Sequence, residues 1–423
     1  MTTLIPDHAG AGSEQVPATR TLVAAVVALF FIWGGLTSLN DILVPKLKGL
    51  FSLSYTEAML TQFAFFMAYF IVSIPAGALI ARIGYLKGIV TGLATMAIGC
   101  LMFVPASSSG IFAAFLAALF VLAAGITILQ VGANPLIANL GDPATSHSRL
   151  TLAQAFNSLG TTLFPPVGAL VILGSISKVD PATLAPAERA VFLTEEAGVI
   201  GHAYIAIAVI LAAVALFFFL RRSAITGGQG GSASLSGSFA LLRRGRLAGG
   251  VAALFLYVGA EVAIGSMLVN YLAQERVMGL SEQVAGTMIA LYWGGAMVGR
   301  FIGAMLLRRF RPGLVLATVC IGAVLLIALS AMATGAVAGY AILAVGLMNA
   351  IMFPTIFSLG IEGLGERTPQ GSGLLCMAIV GGAIIPLLTG AIADATSLAM
   401  ALAIPASCYL LIAIYGWSAR NPA

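Results

Sequence analysis

The sequence predicts an all-α integral membrane protein with twelve transmembrane helices in two pseudo-symmetric six-helix bundles. Three observations carry that expectation. Of 423 residues, 60% are apolar and only 8% charged, whereas a soluble domain carries about 25% charged side chains. The mean hydropathy is +1.06, because the apolar residues gather into runs of bilayer length. The runs also fall six and six around one long polar gap, the internal symmetry of a duplicated bundle.

Windows of about nineteen residues place spans at 21–44, 56–80, 86–106, 110–139, 148–175 and 198–220, then at 248–273, 282–307, 312–333, 336–363, 370–393 and 397–417. The expected organisation is a tail over 1–20, a first bundle over 21–220, a linker over 221–247, a second bundle over 248–417 and a tail over 418–423. The linker is rich in Gly and Ser and carries five arginines, the composition of a flexible connection. A second polar gap, 176–197, falls on the opposite side.

An even number of spans puts both termini on one side. Fourteen of the twenty Lys and Arg fall there, among them Arg20, Arg82, Lys87, Arg149, Arg246, Arg308 and Arg420. Only Lys46, Lys48, Lys178, Arg189 and Arg276 fall on the other side. The bias of basic residues toward the cytoplasm predicts that both termini and the linker are cytoplasmic.

Other classes drop out. The net charge of +5 comes from scattered turns, not from a basic face interleaved with aromatics, so nucleic acid is not an expected partner. Cys100, Cys320, Cys376 and Cys408 lie inside apolar runs without metal-ligand spacing and read as small buried hydrophobes. No cleavable signal precedes the first run, which is itself the first span. No loop could hold a catalytic domain, His147 and His202 fall near helix ends, and no acid-His-Ser grouping or metal cluster is visible, so an enzyme is not expected. The expected partners are the lipid bilayer and a small solute, with no obligate protein partner.

The halves echo each other in one motif. Gly77-Ala-Leu-Ile-Ala-Arg82 closes the second span, and Gly303-Ala-Met-Leu-Leu-Arg308 closes its counterpart six spans later. Both are basic turns able to accept the C-terminal dipoles of neighbouring helices.

Ionisable residues at membrane depth are costly and therefore functional candidates. Asp41 lies in the outer half of the first span, where Trp33, Thr37 and Asp41 share a face at four-residue spacing and Asn40 adds an amide. Glu261 lies thirteen residues into the seventh span, about 20 Å along it and so near mid-bilayer. Tyr257 is one turn before it, and the structural alternative for Glu261 is a pairing with Arg300 or a backbone group. Arg300 itself, nearer the cytoplasmic end, reads as structural or as snorkelling.

Uncharged amides complete the set. Gln130 and Asn134 are one turn apart on the fourth span, where Pro135 frees a backbone carbonyl. Gln154 and Asn157 share a face of the fifth span, and Asn349 precedes Pro354 on the tenth. Each amide offers two donor hydrogens and an acceptor oxygen. With Trp33 or Trp293 to cover an apolar sugar face, the set suits a neutral monosaccharide; inter-helix hydrogen bonding is the alternative for any one amide.

Twelve spans, the 6+6 split, the central linker and the glycine-basic turn resemble the major facilitator superfamily. That family carries an acidic residue before the first basic one of the turn, where this chain has Ala81. Further segments resemble its fucose-galactose-glucose:proton symporter branch: Phe31-Ile-Trp33-Gly34, Ser38-Leu39-Asn40-Asp41-Ile42-Leu43, Asn134-Pro135, Leu152-Ala-Gln154-Ala-Phe-Asn157-Ser-Leu-Gly160 and Phe353-Pro354-Thr355. In the fucose relatives carboxylates stand at the positions of Asp41 and Gln130 and serve proton coupling. A glutamine cannot exchange a proton, so Gln130 departs from that pattern. Leu129-Gln130-Val131, Tyr257-Val-Gly-Ala-Glu261 and Tyr292-Trp293 instead resemble the glucose/galactose transporters of the family.

The resemblance implies a secondary transporter of a bacterial inner membrane that imports D-glucose or D-galactose by cation symport with alternating access. L-fucose or another sugar with a proton, or drug-proton antiport on the same fold, are the alternatives. No cofactor is expected. The coupling ion is a proton or sodium: Asp41 would carry the coupling, with Asn40 and Thr37 adding oxygens in the sodium case. Asn40, Gln130, Asn134, Gln154, Asn157, Tyr257, Glu261, Trp293 and Asn349 are the candidate sugar ligands.

Overall fold

A computed structural model describes residues 20–50, 55–109, 111–168, 185–222 and 235–421. All of its regular structure there is helical. The first half comprises α1 (Arg20–Leu50), α2 (Tyr55–Ile83), α3 (Tyr85–Ser109), α4 (Phe112–Asn139), α5 (Ser146–Gly168) and α6 (Pro186–Leu220). A short α7 (Leu235–Ala240) leads into the second half, α8 (Gly245–Ala273), α9 (Glu282–Leu306), α10 (Pro312–Met332), α11 (Gly335–Asn349), α12 (Met352–Ile361), α13 (Thr368–Met377), α14 (Gly381–Ala395), α15 (Leu398–Ala401) and α16 (Ala403–Ser418).

Among the described residues eleven helical stretches are long and apolar enough to cross a membrane, the pairs α11–α12, α13–α14 and α15–α16 each making one crossing. The twelfth is α5, whose 23 residues are diluted by Ser, Thr, Gln and Asn. The helix that falls short on hydropathy thus carries two of the candidate ligands, Gln154 and Asn157.

Three boundaries differ from the sequence expectation. The polar stretch before the sixth span is partly helical: α6 starts at Pro186, with Pro at a position where its missing N–H costs nothing and Glu188 in the favourable first turn. The linker holds α7 and a 3₁₀ turn over Leu241–Arg243. The tenth span is broken, because Pro354 has no N–H for the Ala350 carbonyl four residues earlier.

Glycine sets the closest helix approaches. A Cβ on Gly160 of α5 would stand 2.1 Å from the Phe31 carbonyl oxygen of α1. A Cβ on Gly381 of α14 would stand 2.0 Å from the Phe255 carbonyl oxygen of α8. Backbone lies against backbone at both places, the packing that small residues permit in membranes. The same contact therefore recurs once per half.

The halves meet through α2 against α13, and through α5 against α9 and α12. Ser148 Oγ donates to Ala304 O at 2.6 Å, Arg308 Nε to Ser148 Oγ at 3.3 Å, and Ser372 Oγ to Val131 O at 2.9 Å. His147 Nδ1 lies 2.6 Å from Ser358 Oγ. These ties sit toward the end of the bundle that holds Arg20, the Gly84 turn and Ser146, called the basic end below. The Val131 carbonyl is the one that Pro135 leaves without an i+4 donor, so a proline defect in one half becomes a docking point for the other.

Basic residues at this end tie helix ends together. Gly84, at φ 87°, joins α2 to α3. The last carbonyls of α4 are taken by Arg149, which donates to Ala138 O at 2.6 Å and Ile137 O at 3.3 Å. Arg308 of the second turn crosses to Ser148. Arg246 at the start of α8 ion-pairs with Glu362 and donates to Leu359 O at 3.1 Å and Asn421 O at 2.8 Å, fixing the end of the chain.

Candidate functional site

Each half builds one polar cluster where its fourth helix meets its second. In the first half, Gln130 Nε2 donates to the Tyr69 hydroxyl at 2.6 Å. In the second, Asn349 Nδ2 donates to the Tyr292 hydroxyl at 2.8 Å. Gln130 is five residues before Pro135, and Asn349 is five before Pro354. The amide, the tyrosine and the proline are one arrangement used twice.

Around Gln130, α5 contributes the remaining amides. Gln154 Nε2 donates to Asn134 Oδ1 at 3.2 Å, and Asn157 Nδ2 donates to the Phe30 carbonyl of α1 at 3.0 Å. Asn134 is fully buried, and its Nδ2 has no partner. Gln130 and Asn157 are only part-buried. Among the described residues neither Gln130 Oε1 nor Asn157 Oδ1 has a protein hydrogen bond, so both keep acceptor capacity.

Around Asn349, α8 contributes a carboxylate. Tyr257, Glu261 and Gly265 share a face at four-residue spacing. The Tyr257 hydroxyl is 2.7 Å from Glu261 Oε1 and 3.2 Å from the Asn349 carbonyl oxygen. The Tyr292 hydroxyl reaches Glu261 O at 3.5 Å. Asn349 Oδ1 and the Tyr409 hydroxyl are both buried without a partner. Trp293 covers this face: its Cζ2 would stand 3.3 Å from a Cβ on Gly265, its ring meets Tyr292 edge-on at 5.1 Å, and it is 45% exposed.

Arg300 joins the clusters. Its Nε donates to Ala350 O at 3.2 Å, the carbonyl Pro354 leaves without an i+4 donor, and its Nη1 donates to Ser158 Oγ and to Gln154 O at 3.5 Å. Of the two readings of Arg300, a structural role or snorkelling, the geometry fits the structural one: the guanidinium reaches across the junction to acceptors on α5. The Glu261–Arg300 hydrogen bond weighed as an alternative is not among those described.

The candidate ligands thus divide. Gln130, Asn157, Glu261 and Trp293 retain exposed surface, while Asn134, Gln154, Tyr257 and Asn349 are enclosed behind them. Trp33 is buried, edge-on to Phe30 at 5.2 Å, and Thr37 Oγ1 donates within its own helix to Gly34 O at 3.0 Å. Asp41 and Asn40 fall on α1, but their side chains lie outside the described residues. Sequence reasoning passed over Tyr69 and the pairing role of Tyr292. The signal was present: each is a tyrosine two to three turns before the glycine-basic turn of its half. All four cysteines are buried and free, and no group of three metal-ligating side chains occurs among the described residues.

Comparison with known proteins agrees with this architecture. The Major Facilitator Superfamily profile matches residues 25–379. A glucose/galactose transporter of Brucella abortus biovar 1 (strain 9-941) is 48% identical over 394 residues, 93% of each chain. The L-fucose-proton symporter of Escherichia coli (strain K12) is 36% identical over 413 residues, 93% of this chain and 91% of that one. The crystal structure of the transporter FucP in the outward conformation superposes with a TM-score of 0.88 at 34% identity, covering 95% of this chain and 99% of that chain.

Proposed function

The chain belongs to the Major Facilitator Superfamily, and on that footing we propose that it imports a neutral hexose, D-glucose or D-galactose, by cation-coupled symport with alternating access. The observation that carries this reading is a pair of part-buried amides in the first half, Gln130 and Asn157, together with an exposed indole in the second, Trp293. This set occurs in a chain 48% identical along its length to a glucose/galactose transporter. Free amide acceptors and N–H groups match sugar hydroxyls, which both donate and accept. The indole offers an apolar plane. Asn134, Gln154, Tyr257 and Asn349 form buried hydrogen-bond networks within the same two clusters.

With the termini cytoplasmic, as the Lys and Arg bias requires, the ties at the basic end close the cytoplasmic side. The conformation is then outward-facing, and transport proceeds by the halves rocking about the sugar. Asp41 carries coupling near the outer mouth: taking up a cation removes a charge that opposes closure of the first helix into a drier site. A proton is favoured over sodium. No resident cofactor takes part.

Uptake of labelled glucose, galactose and fucose into proteoliposomes, with proton and sodium gradients imposed separately, tests the reading. Accumulation of glucose or galactose driven by the proton gradient is the expected result. Accumulation of fucose alone, or of no sugar under either gradient, overturns it.

A further inference from the structure

Around Tyr257 both short contacts become full hydrogen bonds when Glu261 carries a proton. The phenol has one hydrogen to give, yet Glu261 Oε1 and Asn349 O both lie within bonding distance, at 2.7 and 3.2 Å. With the carboxylate ionised, two acceptors compete for that hydrogen. With the carboxyl protonated, its O–H donates to Tyr257 Oη and Tyr257 donates to Asn349 O, so both contacts are hydrogen bonds.

The surroundings agree. The ionisable groups facing Glu261 are Tyr257 on its own helix, Tyr292 and Arg300 on α9, and Tyr409 on α16. The single cation among them, Arg300, is held by Ser158, Gln154 O and Ala350 O. Among the described residues no basic side chain hydrogen-bonds to Glu261. In the first half, α4 has no acid at all, and Gln130 occupies the place that Asn349 takes relative to its proline.

We infer that Glu261 is a second proton-exchanging carboxylate of this carrier, in the half opposite Gln130, and that Arg300 becomes its counter-ion once the halves part at the basic end. The inference rests on the symport reading above. A proton from the outer side occupies Glu261 and completes the bond from Tyr257 to Asn349. When the basic end opens, Arg300 loses both partners on α5 but keeps Ala350 O, one residue from the carbonyl that Tyr257 holds. The proton on Glu261 then passes to inner water, Arg300 pairs the carboxylate left behind, and the Tyr257 hydrogen turns from Asn349 O to Glu261. One proton enters and one leaves per cycle at this site.

The test is a comparison of sugar exchange with uphill uptake in proteoliposomes. Wild type is expected to exchange labelled glucose or galactose and to accumulate it under a proton gradient, alkalinising a weakly buffered medium. Glu261→Gln keeps an acceptor for Tyr257 but cannot release a proton. It is expected to retain exchange within about tenfold of wild type while uphill accumulation falls and alkalinisation per sugar drops to about half, the share left to Asp41. Uphill accumulation by Glu261→Gln at the wild-type level overturns the inference, as does wild-type accumulation driven by sodium without proton movement. Absence of exchange in wild type sinks the sugar reading instead. Tyr257→Phe guards against a misfolded Gln variant: it retains the carboxyl but removes the relay hydroxyl, and the pH dependence of sugar affinity should flatten. An unchanged pH dependence in Tyr257→Phe counts against the inference.

Discussion

The two halves share a scaffold and differ in charge. Both place an amide five residues before a helix-breaking proline, both bond that amide to a tyrosine on the second helix of the half, and both pack a glycine onto a carbonyl of the first helix. The first half surrounds its amide with more amides, Asn134, Gln154 and Asn157. The second surrounds its amide with tyrosines and a carboxylate, Glu261. A duplicated frame can therefore carry different chemistry in each half, amides in one and a carboxylate among tyrosines in the other, without altering how helices pack.

The largest expected effect tests the shared part. Gly160→Val and Gly381→Val each force a Cβ to about 2 Å from a backbone oxygen, where no rotamer change relieves the clash. Each should cost at least about 3 kcal/mol and abolish the monodisperse peak in size-exclusion chromatography. Tolerance of one but not the other would show that the halves are not packed alike.

A smaller effect is expected from making the halves alike in charge. Gln130→Glu puts a carboxyl beside Tyr69 and restores the acid of the fucose branch. Sugar uptake should fall about tenfold, or ~1.4 kcal/mol, on the alkaline side of its pH profile, with the acid side retained. A profile superimposable on wild type would mean that the α4 position does not communicate with transport.

The smallest effect concerns the tie that a proline defect creates. Ser372→Ala removes one hydrogen bond to Val131 O, worth about 1 kcal/mol. That should raise thiol labelling of a cysteine introduced between α5 and α12 at the basic end about fivefold. Unchanged labelling would mean that the bond does not help hold the basic end closed.

Much of this was legible in the chain. The glycine-basic turn at Gly77–Arg82 and Gly303–Arg308 marked the duplication, and Glu261 stood out because an acid thirteen residues into an apolar run has no cheap explanation. Arg300 stood open between a structural role and snorkelling, because its spacing from the helix end fits both and only the folded chain reveals acceptors on another half. Tyr69 was passed over because a tyrosine in an apolar helix is ordinary until its partner, sixty-one residues away, is known.

By itself the sequence determined the membrane class, the two bundles and the inventory of polar groups, since these follow from composition, run length and local spacing. Which of those groups meet was decided by tertiary structure. Hydrogen bonds across helices join residues up to 241 positions apart, and no local pattern encodes such a pairing. The carbonyls freed by Pro135 and Pro354 show the difference: their release is written in two prolines, but their capture by Ser372 and Arg300 belongs to the way the helices pack.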